Sequence, residues 1–160
     1  MLRITLLCVG SLKEAFWRDA VAEYTKRLQP YCNLRVIEVA DERLKETASA
    51  REKDAALLKE AERINAQTDD KGVLIALAID GKRFSSEAFS GLIASYALDG
   101  NSHIQFVIGG SVGLHASVLN RADLRLSFSD MTFPHQLMRV ILAEQIYRSF
   151  KIQNGEPYHK

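Results

Sequence analysis

The string Phe106-Val-Ile-Gly109-Gly110-Ser111-Val112-Gly113 joins an apolar run to a cluster of small residues, and its reading sets the class of the whole chain. Residues 104–108 are almost all apolar, as are residues 73–79, which is the pattern of strands buried on both faces of a sheet. Glycines placed just after such a strand make a tight turn and let bare backbone come close to a neighbour or a ligand. Downstream, Ser127-Phe-Ser129-Asp130-Met131-Thr132-Phe133-Pro134-His135 repeats the plan, a short apolar strand followed by small and polar residues. The chain then ends Glu156-Pro157-Tyr158-His159-Lys160, a polar tail able to reach across loops. Together these segments point to a small-molecule site with a movable cover.

Working outward, apolar runs at residues 2–9, 34–39, 73–79, 104–108 and 124–128 alternate with helical patterns. That alternation predicts a single α/β domain over residues 1–160 with a mainly parallel sheet flanked by helices. Ser11-Leu-Lys-Glu14 and Ser49-Ala-Arg-Glu52 both have the spacing of a capping box, in which serine and glutamate satisfy helix-end amides reciprocally. They predict helices running from Ser11 to about Leu28 and from Ser49 to about Ala66. A third helix is expected from Ser86-Glu87 to near Gly100, and a short one after Gly113.

The final helix, expected from about Pro134 to Ile152 with the proline in its first turn, is apolar in nearly every direction around its axis. A surface helix shows one apolar stripe, so the second side of this one needs a cover. In so short a chain the expected cover is a second copy related by a two-fold axis, the alternative being a fully internal central helix. Asp130, close to the helix start, reads as a favourable charge for the helix dipole. Arg139, Arg148 and Lys151 along the same helix read, as such charges usually do, as a solvated face.

Composition removes several functions. With 47% apolar and 26% charged residues among 160, the chain is that of a globular domain, and roughly 70% of its unfolded surface can be buried. A net charge of +1 and a pI near 7.8 do not fit a general electrostatic binder of nucleic acid, so any such partner is read by a local patch or by shape. The two cysteines, Cys8 and Cys32, form no Cys-x-x-Cys pair and read as reduced core thiols of a cytoplasmic protein. No apolar stretch approaches the roughly 20 residues of a membrane span. His103, His115, His135 and His159 lack the spacing of a metal site. Ile108 stands where a dinucleotide fingerprint needs its first glycine, there is no Walker sequence, and no serine lies in a nucleophile elbow.

Taken together, Ile4-Thr-Leu-Leu-Cys-Val-Gly10, Leu77-Ala-Ile-Asp-Gly81-Lys82, Phe106-Val-Ile-Gly-Gly110, Leu126-Ser-Phe-Ser129, Met131-Thr-Phe-Pro-His135, Glu144-Gln-Ile-Tyr-Arg148 and Pro157-Tyr-His159 resemble the RlmH-type SPOUT methyltransferases, which methylate a pseudouridine of 23S rRNA. The match runs in order along essentially the whole chain, and the last three strings carry its specificity. The resemblance implies a C-terminal trefoil knot over approximately residues 73–160, which general topology rules would exclude. It implies S-adenosylmethionine as cofactor, held by Leu77, by Gly109, and by Phe128, Ser129, Asp130, Met131, Thr132 and Phe133. It further implies a homodimer packed through the final helix, with 23S rRNA of the assembled 70S ribosome as substrate and neither membrane nor metal as partner.

For chemistry, the resemblance singles out Arg148, Tyr158 and His159. His159 or Tyr158 is expected over the target base, and Arg148 is expected to stabilise the developing anion or to hold phosphate. A tail from one protomer completing the other's site is a further expectation. Two alternatives belong to other classes: a non-catalytic ribosome-binding factor that keeps the pocket, and a flavodoxin-like nucleotide-binding protein, which is what the strand and helix pattern alone would offer.

Overall fold

The computed structural model describes residues 1–160. The chain alternates β1 (Arg3–Val9), α1 (Ala15–Leu28), β2 (Asn33–Val39), α2 (Ala50–Gln67), β3 (Val73–Arg83), α3 (Ser86–Leu98), β4 (His103–Ile108), α4 (Ala116–Arg121), β5 (Leu124–Ser127) and α5 (His135–Gln153). The strands form one sheet in the order β2-β1-β4-β3-β5, and every pairing is parallel. The α/β architecture expected from the alternating pattern is therefore the one observed.

Strand alternation divides the core into two layers. Ile4, Leu6 and Cys8 of β1 and Ile104, Phe106 and Ile108 of β4 face a large cluster closed by Leu28 of α1, Phe89 and Ile93 of α3, and Leu142 and Ile146 of α5. Leu7, Val9 and Val107 face the other way, against Ala61 and Ile64 of α2 and Val118 of α4. Burial on both faces explains why β4 reads as an unbroken apolar run. Cys8 and Cys32 are free and buried, and burial pushes both thiols up to about 12. No helix is long and apolar enough to cross a membrane.

Two features of β3 and β5 shape the edge where function gathers. β3 pairs with β5 up to Leu77, leaves the ladder, and pairs again from Lys82, so residues 78–81 bulge out of the sheet. Gly81 is needed at the return, because a Cβ there would lie 2.7 Å from the backbone carbon and oxygen of Arg125. Ser127 Oγ then donates to the Ile79 carbonyl at 2.9 Å and ties the bulge to the end of β5.

The start signals behave unequally. At Ser49 both bonds of the capping box form, with α2 ending at Gln67. At Ser11 the box does not form: α1 starts at Ala15, and its N-cap Glu14 is extended without a side-chain cap bond. The Leu12 amide is instead taken by Glu38 Oε2 at 3.1 Å, and Arg18 donates to the carbonyls of Leu12 and Lys13 at 3.0 and 2.6 Å, which holds this segment out of the helix. The third helix is capped by Ser85, whose hydroxyl accepts the Ala88 amide at 3.0 Å, one residue before the expected start. Pro134 is the N-cap of α5 and not a first-turn residue.

The charges of α5 depart furthest from the solvated-face reading. Arg139 is 1% exposed, bonded to Glu38 Oε2 at 2.5 Å and to the Gly10 carbonyl at 2.6 Å. No residue from His135 to Ile152 is fully exposed, even in the single chain.

Candidate active site

A cleft of about 720 Å³ opens where the C-terminal ends of β3, β4 and β5 meet. Three loops build it: the bulge of residues 77–80, residues 108–114 after β4, and residues 126–134 after β5, with His135 and Met138 of α5 closing one side. Each loop leaves a parallel strand at the same edge of the sheet, the position where open α/β sheets take ligands.

The middle loop doubles back on itself, with an isolated bridge between Gly110 and Gly113. A Cβ on Gly109 would lie 2.4 Å from the Gly113 oxygen and 3.1 Å from Leu114, so only glycine lets this turn close. In the last loop the Ser127 hydroxyl meets the Ser129 carbonyl at 3.2 Å, and Ser129 Oγ accepts the Met131 amide at 3.0 Å. Small residues here are structural braces that turn backbone toward the cavity.

Of the residues expected to hold a cofactor, Leu77, Gly109, Phe128, Ser129, Met131, Thr132 and Phe133 line the cleft. Asp130 does not. Its side chain is exposed and pairs with Arg83 across the β3–β5 edge, so its charge serves neither the cavity nor the helix dipole.

The electrostatics of the wall are simple. No lysine or arginine lines the cleft, and Asp80 is its only formally charged residue. Burial, reinforced by the nearby Arg139 guanidinium, holds the His135 imidazole below its usual value and favours its neutral form. Such a wall suits a ligand bearing positive charge on an apolar body.

Arg148, Tyr158 and His159 also come together, but at the other end of α5. Arg148 Nη2 donates to Glu144 Oε1 at 2.5 Å, and the Tyr158 hydroxyl donates to the same oxygen at 3.0 Å. The Tyr158 ring stands edge-on to Tyr147 at 4.9 Å, with the Arg148 guanidinium 4.8 Å from its centre. Burial first, then the Glu144 carboxylate, raises the Tyr158 phenol, so it is a poor base as placed.

His159 Nδ1 lies 3.1 Å from Arg148 Nη1 and its Nε2 lies 2.7 Å from Glu87 Oε1. A guanidinium nitrogen can only donate, so Nδ1 accepts and Nε2 carries the proton that Glu87 receives. Both ring nitrogens are thereby engaged, and the hydrogen bond from His159 holds the Glu87 carboxyl below its usual range. The tail thus folds back over α5 and the start of α3, not over the loops of its own chain, and none of its residues lines the cleft.

Sequence reasoning assigned no role at these sites to Glu144 or Glu87, and it placed Arg139 on a solvated face. Glu144 and Arg148 are four apart on one helix face, a spacing that does signal a pair. Glu87 and Arg139 meet partners 72 and 101 positions away, and no local pattern marks them.

Known proteins agree with this geometry. A family model described as "Predicted SPOUT methyltransferase" matches residues 2–159. The protein named ribosomal RNA large subunit methyltransferase H in Bifidobacterium adolescentis is 55% identical over 159 residues, which cover 99% of this chain and 100% of that one. Among solved structures, a probable methylase family protein from Haemophilus influenzae superposes with a TM-score of 0.57 at 14% identity, over 99% of this chain and 70% of that one. A methyltransferase from Legionella pneumophila in complex with the bound cofactor SAM superposes with a TM-score of 0.50 at 12% identity, over 93% and 66%. With a full-length family match and a relative of this identity, the chain belongs to the SPOUT methyltransferase family.

Proposed function

We propose that the protein transfers a methyl group from S-adenosylmethionine to N3 of a pseudouridine in 23S rRNA, acting in the cytoplasm on the assembled ribosome as a homodimer. The observation that carries the reading is the cleft at the ends of β3, β4 and β5, in a chain 55% identical from end to end to a protein named for methylating large-subunit rRNA. The trefoil crossing over approximately residues 73–160 is part of the same proposal.

The cleft fits the cofactor. Its volume of about 720 Å³ lies within the range of small-molecule sites, roughly 300–1,000 Å³. Leu77, Ile108, Leu126 and Phe128 give apolar walls for the adenosyl group, and the glycine turn gives backbone amides and carbonyls. Asp80 balances a positive charge. The full-length family match weighs against the flavodoxin-like alternative. When bound, S-adenosylmethionine supplies a methyl group on positively charged sulfur, open to in-line displacement.

What the chain adds is alignment, exclusion of water and proton handling. The imide nitrogen of the base becomes nucleophilic on losing its N3 proton, and a base must receive that proton as the carbon–nitrogen bond forms. His159 takes this role once its contact with Arg148 is released, and Arg148 is then free to stabilise the imide anion. Met138 of the cleft and Arg148 are ten residues apart on one helix, about 15 Å at the α-helical rise. The tail therefore serves the partner's cleft in a dimer packed through α5.

The test is transfer of labelled methyl from S-adenosylmethionine to ribosomes lacking the modification, with naked rRNA alongside and the labelled nucleoside identified by mass spectrometry. Label in N3-methylpseudouridine on ribosomes alone is the expected result. Cofactor binding without label on either substrate would overturn the proposal in favour of a binding factor that keeps the pocket.

A further inference from the structure

Arg139 is the largest fully buried side chain of the molecule, and the transfer chemistry proposed above does not use it. It sits on the turn of α5 that carries Met138 and follows His135, both of which line the cleft. Its own guanidinium points to the opposite side, into a smaller hollow of about 210 Å³ shared with Leu12, Arg18, Val36 and Glu38. Arg139 is thus the partition between the cofactor cleft and the segment that joins β1 to α1.

Every contact it makes fixes that segment. Nη1 bonds to Glu38 Oε2 at 2.5 Å, and the same oxygen accepts the Leu12 amide at 3.1 Å. Nη2 donates to the Gly10 carbonyl at 2.6 Å. On the far side Arg18 closes over the carbonyls of Leu12 and Lys13. Residues 10–13 are held between two guanidinium groups, and this is why the helix expected from Ser11 does not begin there.

Stability does not account for an arginine at this place. Taking a guanidinium out of water is costly, and with its partner Glu38 half exposed it serves the fold no better than a well-packed apolar side chain of similar volume. Here Arg139 Nε is also buried with no partner, a further cost. What the charge gives is geometry: one rigid cation gripping a loop at two points.

The gripped segment begins next to the glycine turn of the cleft, where β1 ends. β1 neighbours β4 in the sheet, and Val9 at its end abuts Gly110 of the glycine turn, at 3.5 Å from where a Cβ would be. The gripped segment carries the exposed Lys13, and after the exposed Glu14 comes Phe16, 61% exposed and edge-on to Trp17 at 4.8 Å. A cation beside an exposed aromatic face is suited to a phosphate and an unpaired base.

We infer that Arg139, through Glu38 and Gly10, is a positioning residue that sets the β1–α1 segment as the rim on which the acceptor RNA rests. The inference depends on the proposed transfer to rRNA, and the experiment separates the two. Arg139→Met, Arg139→Lys and Glu38→Ala are compared with wild type in cofactor affinity, in KM and kcat for unmethylated ribosomes, and in hydrogen exchange of the Leu12 amide. Glu38 is half exposed, so Glu38→Ala keeps the test valid if Arg139→Met folds poorly.

In Arg139→Met and Glu38→Ala the Leu12 amide exchanges faster and KM for ribosomes rises about tenfold or more, while kcat and cofactor affinity stay within about threefold. Arg139→Lys recovers part of the KM, since an ammonium keeps the charge but not the two-point grip. A freed Leu12 amide with unchanged KM overturns the inference, as does a fall in cofactor affinity that matches the rise in KM. If wild type itself methylates no RNA, the function proposed above fails and this inference falls with it.

Discussion

The two ends of α5 are built on opposite principles. At its start, His135 and Met138 close a cleft whose walls are apolar side chains and bare backbone, with a single carboxylate and no cation. At its end, Glu144, Arg148, Tyr158 and His159 form a half-buried network of hydrogen bonds in which Arg148 Nε alone is buried without a partner. The first end is shaped to hold a ligand by fit, and the second to hold protons by charge. About ten residues of helix, roughly 15 Å at the α-helical rise, separate them. On the proposed reading the two ends meet only across a dimer, although within the single chain α5 already has no fully exposed residue from His135 to Ile152.

The sharpest way to break this division is to remove one end. Deleting residues 157–160 should lower methyl transfer by at least about 100-fold, the scale of a lost general base, and leave cofactor affinity within about twofold. Labelled transfer and calorimetric titration of the cofactor check the two halves of the statement. A mixed dimer of this deletion with a Gly109→Ala chain should regain activity at the one site that combines an intact cleft with an intact tail. No recovery would mean that each chain completes its own site.

Gly109→Ala alone attacks the other end. Its Cβ would sit 2.4 Å from the Gly113 oxygen, so the glycine turn must open. Overpacking of this kind costs about 1–3 kcal/mol, or roughly a 5- to 150-fold loss of cofactor affinity if the strain falls on the bound arrangement. The network at the far end of α5 should be untouched, and unchanged hydrogen exchange around Glu144 would show it.

A finer cut is Tyr158→Phe, which removes the hydroxyl that donates to Glu144 but keeps the ring against Tyr147 and Arg148. Loss of one hydrogen bond predicts a stability change of about 0.5–1.5 kcal/mol, read from the denaturation midpoint. Because burial and Glu144 keep this phenol protonated, transfer should fall only a fewfold. A collapse of activity equal to that of the tail deletion would move the proton-accepting role from His159 to Tyr158.

How far the sequence reached depends on the range of the interaction. β1, β4 and the start of β3 were legible because burial on both faces leaves an unbroken apolar run, while β2 and β5 showed only shorter, interrupted apolar stretches. The Ser49 cap was legible because its partner is three residues away. The identical spacing at Ser11 misled because Glu38 and Arg18 claim the segment first. The cleft loops could be located from small residues that follow strands, yet Asp130 shows that adjacency in sequence does not aim a side chain inward. Arg139 was read as solvated because a charge on a helix usually is, and only the path of β1 and β2 past α5 makes it buried. Tail residues could be named from their string, but the cleft that they serve depends on the assembly.

The smallest expected effect concerns His135, the one titratable group on the cleft side of α5 whose value is shifted. An imidazole held below its ordinary value in the folded protein binds its proton more readily in the unfolded chain. Stability from this group is therefore complete at neutral pH and declines as pH falls through the ordinary value of 6.5 toward the folded one. Arg139 and burial both push in that direction, while Asp41 pushes weakly against it. Glu60, whose carboxyl burial raises, acts with the opposite sign but equally in any His135 variant. Denaturation midpoints of wild type and His135→Asn, taken at about pH 7.5 and about pH 5.5, isolate the histidine, since asparagine keeps polarity without titrating. Wild type should lose more stability over that interval than the variant. Equal losses would mean that the imidazole charges as freely in the cleft as in water, and the wall would then carry a positive charge facing a positively charged cofactor.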